Sequence, residues 1–251
     1  MNDVRTEFRE GWGGAELAVH RLGQGRPVLL LHGLFSSAAV NWIKFGHAQQ
    51  LADAGYEAIM PDLRAHGQSA SPHEPEAYPA DVLVRDALAL VDQLGLVDYD
   101  LGGFSLGSRT AVRGVLAGLA PRRLILGGMG IEGLGNWAGR SRFFIDAIDR
   151  FDEIKHGDPA FVARSFMKTQ KVDRVAARLL LQSVDDTPPE ALSAVTMATL
   201  VVCGSDDQDN GSAPALAEAL PDARYVAIPG THMSSVTQRQ LGEAMVAFLS
   251  A

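Results

Sequence analysis

Cysteine is nearly missing from this chain: among its 251 residues only Cys203 carries a thiol, so no intramolecular disulfide can staple the fold. Cys203 closes the apolar run Leu200-Val201-Val202-Cys203, a setting that suits a small buried strand residue better than a reactive thiolate. Dense basic blocks are also lacking. The 22 Lys and Arg residues are outnumbered by 30 Asp and Glu, giving a formal charge of -8, which argues against nucleic acid or an anionic membrane as the main partner. No apolar run approaches the ~20 residues of a membrane span, and Met1-Asn2-Asp3-Val4-Arg5-Thr6-Glu7 has no apolar signal core. A cytoplasmic location is the expectation. Phosphate-cradling glycine motifs and zinc-ligand spacings are absent too, which sets aside kinase, nucleotide-binding and metallohydrolase functions.

What is present suffices for a large core. Hydrophobic residues make up 47% of the chain and charged residues 21%, an ordinary globular balance. From Pro27 onward, short apolar runs alternate with segments of helical period. Pro27–Leu31, Glu57–Met60, Tyr99–Gly103, Arg123–Leu126, Thr199–Cys203 and Tyr225–Ile228 read as strands. Helices are expected over Trp42–Ala54, Ala80–Leu94, from just after Ser105 to about Leu119, Ala213–Leu220 and Thr237–Leu249. Repeated strand–helix alternation predicts an α/β fold, with a mostly parallel central sheet covered by helices on both faces. Gly11–Gly25 is expected to add an antiparallel hairpin. The rhythm lapses between 131 and 190, where Phe143, Phe144, Ile145, Phe151, Ile154, Phe161, Val162, Phe166 and Met167 repeat with helical spacing. That segment is expected to form a small helical cap, set into a core of residues 1–130 and 191–251.

Chemistry concentrates at strand ends. Gly103-Phe104-Ser105-Leu106-Gly107 stands between a buried strand and a helix, where glycines allow the sharp turn that projects a nucleophilic hydroxyl. Serine needs a base within hydrogen-bond reach. Of seven histidines, His232 lies in the loop after the last strand, on the sheet edge where such loops gather. His156 falls in the expected cap and reads as a surface residue, while His20, His47 and His73 have no comparable setting. Gly204-Ser205-Asp206-Asp207-Gln208-Asp209 follows a buried strand and offers three carboxylates to orient the base; Glu132, after the Arg123–Leu126 strand, is a further candidate. An acyl-transfer oxyanion also requires pre-aimed donors, the first being the N–H of Leu106 immediately after the serine.

Together these segments resemble the α/β-hydrolase superfamily, over nearly the whole chain outside 131–190. His32-Gly33-Leu34-Phe35 is similar to the family's H-G-x segment, Pro61 to Ser69 to its D-x-R-G-H-G-x-S signature, Gly204–Asp207 to G-x-x-D, and Pro229–His232 to P-x-x-G-H. The resemblance selects Asp207 as the acid and His232 as the base, and gives the second oxyanion donor to the Leu34 N–H, with Phe35 as its neighbouring fallback. It also casts His32 as a brace for that loop, and Asp62, Arg64 and His66 as a hydrogen-bonded loop scaffold. Ala65 and Thr231 depart from the pattern, each standing where the family usually has glycine.

The activity so implied is a carboxylesterase-like serine hydrolase: a small to medium ester cleaved through an acyl-enzyme on Ser105, with no cofactor or metal. Phe35, Phe104, Phe143, Phe144 and Met233 are the candidate substrate contacts. A perhydrolase, a lactonase and a carbon–carbon bond hydrolase are alternatives on the same triad, and a receptor-like binding protein is the non-enzymatic one. Serine at the elbow argues against the epoxide-hydrolase and dehalogenase branches, which the family runs with aspartate. Leu106 stands where the perhydrolase branch often has methionine.

Overall fold

The computed structural model describes residues 3–251, so Met1 and Asn2, at the start of the expected core, lie outside the described residues. Eight strands form one sheet: β1 (Arg5–Glu10), β2 (Glu16–Gly23), β3 (Arg26–Leu31), β4 (Tyr56–Pro61), β5 (Asp100–Phe104), β6 (Arg123–Gly127), β7 (Ala198–Gly204) and β8 (Ala223–Ile228). Their spatial order is β1-β2-β4-β3-β5-β6-β7-β8. The pairings from β4 to β8 are parallel, and β2 joins both β1 and β4 antiparallel. Helices α1 (His47–Asp53), α2 (Val82–Gln93) and α3 (Leu106–Leu116) follow β3, β4 and β5. The stretch between β6 and β7 forms α4 (Trp137–Asp149), α5 (Phe161–Thr169) and α6 (Arg174–Ser183). Helix α7 (Ala213–Ala219) precedes β8, and α8 (His232–Ser235) and α9 (Arg239–Leu249) follow it.

Side-chain alternation along the strands builds two cores, one per face. Leu29 and Leu31 of β3, Ile59 of β4, and Val201 and Cys203 of β7 pack with Leu83 and Leu90 of α2 and Ala111 and Val112 of α3. The intervening residues Val28, Leu30, Met60, Leu200 and Val202 pack with Leu51 of α1 and with Leu241, Met245 and Phe248 of α9. Helices α4 to α6 contribute Trp137, Ile148, Met167, Leu180 and Leu181 to the first core. The expected α/β architecture is therefore the one observed.

Two expectations need correction. The hairpin does not lie within Gly11–Gly25: its first strand is β1, which pairs Arg5 with Arg21 and Glu10 with Glu16. Strand β1 is an edge strand with mostly exposed side chains, so its sequence carries charges (Arg9 on Glu7, Arg21 on Glu7) where a core strand would carry apolar residues. Nor is Trp42–Ala54 one helix. A π-helical turn at Ala39–Ile43 is separated from α1 by Gly46, whose φ of 82° lies in the left-handed region.

The chain leaves β3 to build β4 on one side and then crosses to build β5 on the other. At such a reversal the loops leaving the two central strands diverge and open a crevice at the strands' carboxyl ends. The crevice is flanked by the 32–38 loop and by the turn at Ser105.

Candidate active site

Ser105 is held in a conformation that few serines adopt, with φ 53° and ψ -112°. A side chain fixed this way stores about 1–3 kcal/mol of strain, maintained here by tight packing of the turn. A Cβ on Gly103 would lie 2.2 Å from the Gly107 carbonyl carbon, and one on Gly107 would lie 2.0 Å from the Leu31 oxygen. Only glycine at both positions lets β5, α3 and β3 approach this closely. The Ser105 N–H and the Ser108 hydroxyl both donate to the Gly127 carbonyl, at 2.8 Å each, tying the turn to the end of β6.

Two other strand ends deliver the partners. Gly204 ends β7 in contact with Gly230, whose oxygen a Cβ there would meet at 2.1 Å, and this close approach sets the two loops side by side. His232 Nδ1 then lies 2.8 Å from Asp207 Oδ2, and His232 Nε2 lies 3.0 Å from Ser105 Oγ. A carboxylate only accepts, so Nδ1 carries the proton and Nε2 is free to accept from the serine. The Asp207 side chain is 3% exposed and that of His232 10%; Asp206 and Asp209 point to solvent. The second oxygen of Asp207 accepts the Asp209 N–H at 3.0 Å. Thr231, the departure from the family pattern, caps α8: its N–H donates to Ser234 Oγ while its own hydroxyl accepts from the Ser234 N–H. Phe104 packs its ring on that of His232, with centroids 5.2 Å apart.

The 32–38 loop is wired so that the Leu34 amide is left without a partner. Gly33 N–H donates to Asn41 Oδ1 (3.1 Å), Phe35 N–H to His66 Nε2 (2.9 Å) and Ala38 N–H to Asp62 Oδ1 (2.8 Å). The Gly33 carbonyl accepts from His32 Nδ1 (2.8 Å) and from the Ser36 N–H (3.2 Å). Among the described residues the Leu34 N–H, on the far side of that clamped peptide, has no hydrogen-bond partner, nor have the Ser37 N–H further along the loop and the Leu106 N–H at the start of α3. Phe35 is thereby corrected as an oxyanion candidate, because its N–H is spent on His66. A Cβ on Gly33 would sit 3.5 Å from that of Ser105, so this loop borders the serine directly.

Behind the loop lies the scaffold formed by Asp62, Arg64 and His66. Asp62 also accepts from Gln68 N–H and His20 Nε2, and Arg64 forks onto both oxygens of Asp86 at 3.0 and 2.7 Å. Burial pushes the Asp62 carboxyl up, but the His20 hydrogen bond, the nearby His32 and the two amide donors outweigh it and hold the group below the usual range. Burial, helped by the neighbouring His32, pushes His66 down to about 3, and burial lowers His32 as well. Both rings are thus neutral acceptors at Nε2, as the Phe35 and Leu63 amides require. Ala65 takes φ 64°, the conformation for which the family's usual glycine is suited.

The remaining candidates find other roles. His47 is buried and bonds the Val236 carbonyl, His73 pairs with Asp173 on the surface, and His156 is exposed against Phe161. Glu132 accepts the Ser212 N–H, 2.7 Å away, and braces that loop. Cys203 is buried in β7, where its Sγ accepts the Met129 N–H and burial pushes the thiol up to about 12. Among the described residues, no three His, Cys, Asp or Glu side chains gather as a metal site.

A cavity of about 830 Å³ opens over Ser105 and His232. All five expected contact residues border it: Phe35 and Phe104 form its buried base, Phe144 packs edge-on to Phe35 at 5.5 Å, and Phe143 and Met233 stand exposed at its rim. Sequence reasoning missed Asn41, Arg109, Trp137 and Arg140, which also line it. Trp137, Arg140 and Phe144 recur at i, i+3 and i+7 on α4, and that spacing was the available signal.

The family described as alpha/beta hydrolase fold matches residues 26–122, which run from β3 through the Ser105 turn to the residue before β6. Over 99 residues the chain is 36% identical to Epoxide hydrolase 2 of Siraitia grosvenorii, covering 39% of this chain and 30% of that protein. The chain spans only 28–30% of the length of the first epoxide hydrolase relatives it matches. It is 29% identical to the dihydrolipoyllysine-residue acetyltransferase component of the acetoin cleaving system of Pseudomonas putida, over 94% of this chain and 67% of that one. Among solved structures, a thermophilic esterase from Thermogutta terrifontis superposes with a TM-score of 0.78 over 98% of each chain, at 23% identity, a likeness of fold. By its sheet order, its strand-end turn and the family match over residues 26–122, the chain has an α/β-hydrolase fold.

Proposed function

We propose that the chain is a serine hydrolase that cleaves small to medium carboxylic esters through an acyl-enzyme on Ser105. The observation that carries this reading is the continuous hydrogen-bond line Asp207–His232–Ser105, at 2.8 and 3.0 Å, ending on the strained turn. Ser105 Oγ attacks the ester carbonyl as His232 Nε2 takes its proton, and the Leu34 and Leu106 N–H groups receive the oxyanion. The imidazolium, stabilised by Asp207, protonates the departing alcohol. Water then enters, loses a proton to His232 and releases the acid. Helices α4 to α6 act as the cap, presenting Phe143, Phe144 and Phe166 to an apolar substrate body.

The epoxide hydrolase relatives do not carry their named activity over, because the aspartate that the family uses for that chemistry is Ser105 here. The reading is tested with p-nitrophenyl esters of two to eight acyl carbons, alongside lactones and anilides. A stoichiometric burst of p-nitrophenolate and ester turnover exceeding lactone and anilide turnover are expected. Turnover confined to lactones or to carbon–carbon substrates would keep the triad and overturn the ester assignment.

A further inference from the structure

The protein is strongly acidic overall, yet its cavity is not. Of the permanently charged side chains that line it, Lys44, Arg109 and Arg140 are cationic and Asp209 is the one carboxylate. The three cations are not equivalent. Lys44 is exposed beside Phe45. Arg109 is 1% exposed and spent: its Nη atoms bond the carbonyls of Asp185, Gly133 and Gly135, with Asp186 as counter-ion at 3.3 Å. Arg140 is half-buried and committed at one nitrogen only. Its Nη1 donates to the Asp209 carbonyl, and among the described residues no carboxylate lies within 4 Å of it.

The part of Arg140 left over is the informative one. Its Nε and Nη2 have no hydrogen-bond partner among the described residues. That edge is the side-on fork that this protein uses elsewhere to grip carboxylates, as Arg64 does with Asp86 and Arg21 with Glu57. Arg140 stands one turn before Phe144, with its guanidinium 6.0 Å from that ring, which itself packs on Phe35. Burial pulls its pKa down and the more distant Asp209 and Asp207 pull it up, while Arg109 adds a like charge nearby. A half-buried cation with an open bidentate edge beside an apolar cavity is suited to receive a carboxylate.

We infer that Arg140 binds a carboxylate on the substrate, remote from the scissile carbonyl, so that the preferred substrates are half-esters of α,ω-dicarboxylic acids. This deepens the ester-hydrolase reading and rests on it for turnover, though not for binding. Release of p-nitrophenolate is compared for p-nitrophenyl esters of adipic to suberic acid bearing a free terminal carboxylate and for their terminal methyl esters. Wild type is expected to favour the charged partner by about tenfold or more in kcat/KM at the best length, chiefly through KM. R140Q brings that ratio close to one, and R140K, which keeps the charge without the fork, falls between. If Arg140 only latches α4 to the Asp209 loop, both substrates weaken together and the ratio stays; that result, or a wild-type ratio near one, overturns the inference.

A second arm separates it from the activity. Calorimetry on S105A compares monomethyl suberate with dimethyl suberate, and tighter binding of the charged ligand that disappears in S105A/R140Q supports Arg140 whether or not any ester is turned over. Equal binding of the two ligands counts against it even where Ser105 proves catalytic.

Discussion

Replacing Asp207 by asparagine swaps one oxygen for an NH2 group, and the structure dictates which one. Oδ1 accepts the Asp209 N–H at 3.0 Å, so the asparagine oxygen is held there and its NH2 group faces His232 Nδ1. The ring must then accept at Nδ1, which places its proton on Nε2, the atom 3.0 Å from Ser105 Oγ. A protonated Nε2 cannot take the serine proton. The expected loss is on the order of ten-thousandfold in kcat, about 5 kcal/mol at 1.36 kcal/mol per decade. Asp207→Ala leaves the ring free to choose its tautomer and is expected to be no worse than Asp207→Asn, despite the larger truncation. The assay is p-nitrophenyl butyrate turnover at saturation, with circular dichroism to verify folding. If D207N stays within tenfold of wild type, the acid is not Asp207, and the tautomer argument fails with it.

Three further outcomes follow from the geometry. Gly107→Ala drives a Cβ to 2.0 Å from the Leu31 carbonyl, a backbone atom of a central strand; a loss of about 3 kcal/mol in urea unfolding is expected, and an unchanged midpoint would contradict the packing described for the turn. Ala65→Gly relieves an alanine at φ 64° and is expected to leave stability unchanged or raise it by up to about 1 kcal/mol, so a lowered Tm would count against strain at that site. His32 and His66 stay neutral in the fold, with pKa values below the ordinary histidine value and about 3 for His66. On acidification the unfolded chain therefore binds protons first: stability is full above pH ~6.5 and falls as the pH drops toward 3, by up to about 1.4 kcal/mol per pH unit per ring. Urea melts from pH 7 to 4 check this, and a flat profile would refute the neutral-ring wiring.

The parts legible in the sequence were those where one local cause acts. The parallel strands showed as apolar runs because both faces are covered, and Ser105, Asp207 and His232 showed because each follows such a run by a few residues. Strand β1 did not show, since an edge strand that pairs through its backbone leaves Arg5, Glu7 and Arg9 free to be charged. The break at Gly46 was hidden because a single glycine inside a helical pattern is tolerated in most settings and only its φ of 82° ends the helix. Phe35 illustrates a different limit: its N–H is adjacent to that of Leu34 in sequence, and only the fold reveals that His66 has taken it. Arg140 and Trp137 acquire their place from α4 lying over the Ser105 turn, a long-range arrangement with no motif of its own.

The central claim is that Ser105 is the attacking atom, and covalent labelling addresses it most directly. After treatment with a fluorophosphonate probe, peptide mass spectrometry is expected to place a single stoichiometric adduct on Ser105, with labelling and p-nitrophenyl butyrate turnover both abolished in a folded S105A. An adduct on another residue, or turnover retained by S105A, would contradict the account.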